Sequence, residues 1–211
     1  MSQPTTNHPQ VSTWLEHVRA LSVDIGPRGS TREGERKGAE YAQAQFQKAG
    51  LKPVLETFQS ARSIFLPHLI GSAVMLAAFA IYPLGGQVTA VISALLSILV
   101  LVSELQELGF QNNLYRLVIP KGESQNVHAV IPPSGEHKRD LVLVGHLDSQ
   151  HTPFIFRSPK HVKAYDNFTT LVFASFILQA VLYVLSIFFA WTWVWFATIP
   201  TAVCALLLAA S

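Results

Sequence analysis

Two side chains with metal-binding chemistry stand two residues apart in "LVLVGHLDSQ", Leu141 to Gln150: His146 and Asp148. On a strand, residues i and i+2 point to the same face. If the strand runs through Gly145, both side chains project from its carboxyl end, where open α/β sheets bind ligands. A neutral imidazole is a good zinc ligand. A nearby carboxylate can accept the other ring N–H, fix the tautomer and raise ligand basicity. The same residues also suit a buried strand that stops at a polar turn. One His is not a metal site, since catalytic zinc takes about three protein ligands. On residue types alone both readings stand.

The elements around this pair are unusual. Half of the 211 residues are hydrophobic and 13% are charged, against about 25% charged in a soluble domain. No charged residue lies between Arg62 and Glu104, and none follows Asp166. Each charge-free stretch is about twice what one bilayer crossing needs. The pattern predicts two helical hairpins, with spans at roughly 64–83, 87–105, 168–189 and from 191 onward. Pro83, Gly85 and Gly86 turn the first hairpin. Pro67 and His68 fall at its entry and read as an interfacial kink and a solvated His. Trp191, Trp193 and Trp195 fall where an interfacial aromatic belt would lie. All 15 Lys and Arg lie in segments 1–63 and 104–167. An even number of spans separates these segments, so they face one side, and the positive-inside rule makes it the cytoplasm. The expected localisation is therefore integral to the membrane and multi-pass. A net charge of +2 excludes a strongly basic nucleic-acid binder. The single Cys204 excludes a disulfide framework or Cys-based zinc site. The polar N-terminus lacks the apolar core of a signal peptide.

Residues 12–63 read as α then β. Trp14, Val18 and Leu21 share a helical face. "DIGPRGS" is a turn, Ser30 with Glu33 a capping box, and a helix follows to about Ala49. Gly50 ends it as the C′ residue, before a strand at "KPVLETFQ". Further on, "LYRLVIP" and "NVHAVIPP" flank "KGESQ" as in a β-hairpin. "LVLVG" is a continuous apolar run of strand length, suited to a strand covered on both faces.

Three of these stretches carry a resemblance: "GPRGSTREGERKGAEYAQAQFQKAGLKPVLETF", "SQNVHAVIP" and "DLVLVGHLDS". Together, covering roughly a quarter of the chain in order, they resemble the co-catalytic zinc aminopeptidases of metallopeptidase family 28. The resemblance implies a three-layer α/β domain (phosphorylase/hydrolase-like) with two zinc ions about a bridging water. It implies that His146 ligates one zinc and that Asp148 supports it. A bridging Asp, a Glu–Glu pair and a second His come later in the family. The implied substrate is a peptide; the oligomeric state is open.

The chain departs from the family in two ways. Hairpins interrupt the domain, giving soluble segments 1–63 and 107–167 and hairpins 64–106 and 168–211. The rest of the site is also missing. Asp166-Asn167 resembles the family's bridging-Asp loop, but the flanking Gly and Ser are absent, and a juxtamembrane polar pair is the competing reading. His151 reads as a solvated loop residue and His128 as a packed or edge one. The sequence also ends without a polar flank after its last apolar segment. The expectation is the N-terminal part of a multi-pass membrane zinc metallopeptidase, itself inactive. The alternative is a non-catalytic peptidase-like membrane protein that binds polypeptides or scaffolds a complex. A single-zinc acyl-transfer cyclase shares the family fold. A transporter is disfavoured because no span carries a buried acidic or basic residue.

Overall fold

The computed structural model describes residues 9–149, 157–189 and 191–209. They are mostly helical, with one two-stranded antiparallel sheet, and the chain divides into two units.

The first unit comprises residues up to Arg62 together with Pro120–His151. Helix α1 (Pro9–Arg19) runs into a π-helical turn at Ala20–Ile25. Trp14 and Val18 do share a face, but it is exposed among the described residues. Helix α2 (Glu33–Lys48) ends as its sequence dictates. Gly50 takes φ +79°, and the N–H groups of Gly50 and Leu51 donate to the carbonyls of Gln47 and Phe46. That pair of bonds is a Schellman motif. The start of α2 differs from expectation. Glu35, not Glu33, reaches back, accepting the Thr31 N–H at 2.5 Å. Glu33 instead pairs with Lys37 one turn on, at 3.0 Å, and the hydrogen bond from Lys37 holds its carboxyl below the usual range.

Strand β1 (Val54–Ala61) pairs with β2 (Lys121–His128) from Val54↔His128 to Ala61↔Lys121. The expected hairpin between residues 114–120 and 126–133 is therefore incorrect: its supposed loop, "KGESQ", is the body of β2. The polar run is held extended because β1 satisfies its backbone and the Ser124 hydroxyl donates to Glu35 at 2.6 Å. The expected strand at "LVLVG" does not form either. Leu141, Val142, Leu143 and Val144 are 78–89% exposed, with no strand beside them among the described residues.

The second unit is Ser63–Ile119 with residues from Thr152 onward. Helix α3 (Leu66–Ile81), a 3₁₀ turn at Tyr82–Leu84 and α4 (Gln87–Leu108) form the first hairpin. Gly85 and Gly86, both with φ near +90°, make a turn that other residues resist. Short α5 (Tyr115–Val118) occupies the segment expected to be a strand. The Asn113 side chain accepts the Arg116 N–H, and Arg116 bonds Glu107 through two nitrogens, which together favour a turn of helix. Helix α6 (Pro159–Phe189) is followed by α7 (Val194–Ala197) and α8 (Ile199–Ala209).

Three segments are long and apolar enough to cross a membrane: Leu66–Leu84, Gln87–Leu108 and Pro159–Phe189. The fourth expected span is not of that length among the described residues. Its longest helix has 11 residues, about 16 Å against a core of about 30 Å. Pro200 explains the break, because a proline ring starts a helix but cannot continue one.

The seam between α3 and α4 is made of small residues. Ala90, Ser93, Ala94 and Ser97 recur at helical spacing and are buried, which lets backbones approach closely. The Ser93 hydroxyl donates to Ala78 O at 2.9 Å. One apolar cluster gathers Ala78, Tyr82 and Tyr183; a second gathers Met75, Val100 and Phe176. Trp195 stacks on Phe79 at 5.2 Å, and the Tyr82 hydroxyl donates to Trp191 O. Trp191 and Trp195 therefore pack against the end of α3.

Candidate functional site

The His146–Asp148 segment is irregular, and the backbone and side chain of Arg28 in the Gly-Pro-Arg turn hold it. Gly26 has φ +78° and lets the chain reverse before Pro27 and Arg28. The Arg28 N–H donates to Ser149 Oγ at 2.8 Å, and Arg28 Nε donates to Leu147 O at 2.6 Å. The Ser149 N–H donates back to Arg28 O at 2.8 Å. Arg28 Nη1 also bonds the carbonyls of Leu21 and Gly26. Two motifs about 120 residues apart in sequence are thus joined by three hydrogen bonds.

Helix α2 braces that turn. A Cβ at Gly34 would collide with Pro27 O, and one at Gly38 would come within 2.9 Å of Arg28 Cδ. Only glycine at these positions lets the turn lie on the helix. Glu35, 6% exposed, ties the Thr31 N–H to the Ser124 hydroxyl of β2. Thr31 itself has φ +61°, a conformation unfavourable for a β-branched residue.

Within this frame His146 Nδ1 lies 3.2 Å from Asp148 Oδ1. The His146 side chain is 92% exposed and that of Asp148 34%. With its proton on Nδ1, His146 donates to Asp148 and leaves Nε2 available to a metal. Such a pair fits the ligand-and-support arrangement of zinc histidines. No group of three or more His, Cys, Asp or Glu able to hold a metal occurs among the described residues. Asp166 lies inside α6 rather than in a loop, where its carbonyl accepts the hydroxyls of Thr169 and Thr170. His128 is exposed at the end of β2, and His151 lies outside the described residues.

The second unit holds a polar group that the sequence reading misses. Glu104, 6% exposed, is inside α4, and its Oε2 lies 2.8 Å from His68 Nδ1 of α3. The argument that no span buries a charge is therefore overturned, and His68 is paired rather than simply solvated. A Cβ at Gly71 would come within 2.5 Å of Glu104 Oε1 and 2.8 Å of the Tyr115 hydroxyl. Burial, with the Glu104 charge, pushes the Tyr115 phenol well above the usual tyrosine range. The available signal was Gly71, one helical turn after His68, facing an acid four residues short of the end of α4.

Compared with known proteins, the chain matches no family model, no curated protein and no solved structure.

Proposed function

We propose that this chain supplies the first part of a multi-pass membrane zinc metallopeptidase of the aminopeptidase type, with its soluble segments in the cytoplasm. In this reading His146 is the first protein ligand of a two-zinc centre, and Asp148 orients its ring. The remaining ligands lie in polypeptide outside these 211 residues, together with the strands that cover Leu141–Val144. The single observation that carries the reading is the Arg28 clamp. It gathers the Gly-Pro-Arg turn and the His–Asp segment, as two parts of one catalytic domain require. The β1–β2 pairing supports it, since the two strands flank the α3–α4 hairpin in sequence, as they do where a hairpin is inserted into a domain.

Bound zinc acidifies its water and polarises a peptide carbonyl. The residues of this chain act on position. Arg28 holds the Leu147 carbonyl and the Ser149 hydroxyl, so the backbone on both sides of Asp148 is fixed. Asp148 then fixes the tautomer of His146. The test is zinc content of the full-length protein, wild type against His146→Ala. The variant is expected to lose zinc, and equal zinc in both would sink the reading. The 211-residue chain alone is expected to hydrolyse no peptide, and zinc-dependent release of amino acids by it would refute the assignment of the missing ligands.

A further inference from the structure

Helix α4 has two different faces along its length. Ala90, Ser93, Ala94 and Ser97 are buried. Ile92, Leu95, Leu99, Val102 and Leu105 recur every three or four residues and are exposed. In a helix long and apolar enough to cross a membrane, that exposed stripe is the side lipid covers. The 22 residues of α4 span about 33 Å, against a hydrocarbon core of about 30 Å. The end of α4 therefore lies at the boundary of the bilayer.

The apolar surface does not stop there. Leu108, Phe110, Leu114, Leu117 and Val118 follow, each half or more exposed. Phe110 is the informative member. It is 92% exposed and takes φ +53°. It closes α4 as the C′ residue of a Schellman motif, its N–H donating to Glu107 O and that of Gln111 to Gln106 O. Glycine is favoured at that position, so a large aromatic side chain there is both strained and bare. Short α5 repeats the pattern. Tyr115 and Ile119 are buried, whereas Leu117 and Val118 between them are exposed. The single charge from Leu108 to Ile119 is Arg116, and Glu107 neutralises it through two hydrogen bonds. An apolar surface that continues a lipid-facing stripe, with its one charge paired, suits an apolar medium rather than water.

We propose that Phe110, Leu114, Leu117 and Val118 form a membrane-surface anchor. They enter the headgroup–acyl boundary of the leaflet in which α4 ends, as the apolar face of an interfacial helix does. The occupant of this surface is lipid, because the surface continues the lipid-facing side of α4. The proposal rests on α4 crossing a bilayer. It is independent of the zinc-peptidase reading, because it uses no residue of the His146 segment.

The test is nitroxide depth measurement on the intact chain in phosphatidylcholine vesicles. A Cys204→Ala background carries one introduced cysteine at a time. Phe110→Cys and Leu117→Cys report the anchor, Leu99→Cys the span and Glu136→Cys an exposed loop. Collisions with oxygen, which concentrates in lipid, are compared with collisions with a water-soluble nickel chelate. Labels at 110 and 117 are expected to favour oxygen and to lie within about 5–10 Å of the acyl boundary, with 99 deeper and 136 in water. Leu114→Cys repeats the measurement if either anchor variant fails to fold. Labels at 110 and 117 as aqueous as 136, with 99 in lipid, would overturn the anchor and leave the span standing. An aqueous label at 99 would overturn the span and the anchor with it. Labels at 110 and 117 that meet neither reagent would show that protein, a second copy or another segment, covers the surface, and would also overturn the proposal.

Discussion

Gly34→Ala sharply probes how α2 braces the Arg28 turn. In most exposed helix positions this change stabilises, by up to about 1 kcal/mol, because alanine is the better helix former. Here the added methyl collides with the Pro27 carbonyl oxygen. That atom belongs to backbone and cannot rotate away. The turn must lift from the helix, at about 1–3 kcal/mol for overpacking. Lifting also strains the three hydrogen bonds between Arg28 and residues 147–149, each worth about 1 kcal/mol. Set against the helical gain, the net loss is roughly 2–5 kcal/mol. The readouts are the thermal midpoint and amide hydrogen exchange. The midpoint should fall by about 2–4 °C for each kcal/mol in a chain of this size. Protection should be lost first at Ser149, whose N–H bonds Arg28 O. A raised midpoint with Ser149 still protected would refute the packing argument.

Two other outcomes follow from buried polar groups. Glu35→Ala removes the acceptor for both the Thr31 N–H and the Ser124 hydroxyl, and should cost about 3 kcal/mol or more in denaturant unfolding; Thr31→Gly should recover part of it by relieving the positive φ. Tyr115 has its pKa raised in the folded chain, so its contribution is complete below the ordinary tyrosine value of about 10 and is lost as pH rises through the folded value. Tyr115→Phe should flatten this alkaline fall in thermal midpoint, and an unchanged slope would show that Tyr115 does not titrate on unfolding.

Features that depend on local chemistry were legible in the sequence. Gly50 follows the last periodic residue of α2 and ends the helix there. The charge-free stretches contain all of the first membrane-length helix and most of the other two. Features that depend on a partner were not. Lys121–His128 has no apolar alternation, and becomes a strand through β1 and Glu35. Leu141–Val144 has the composition of a buried strand but no neighbouring strand among the described residues. Glu104 is followed by Leu105, Gln106 and Glu107, so it reads as the point where a helix leaves the bilayer. Only packing against His68 and Gly71 marks it as buried. At the candidate site, the His146–Asp148 spacing was visible, but not the 121-residue separation that Arg28 and Ser149 close.

The pairing of Ala61 with Lys121 has a consequence for how the chain is made. Residues 62–120 lie between the two strands, so β1 leaves the ribosome well before its only strand neighbour among the described residues. At about 5–20 residues per second the delay is roughly 3–12 s, far longer than the microseconds in which a simple hairpin closes. Throughout that interval β1 is a bare edge, and bare edges recruit other chains. The apolar hairpin thus sets a clock for the sheet. Conditions that slow its passage out of the translation machinery should raise aggregation through β1, even though no contact in the finished fold has changed.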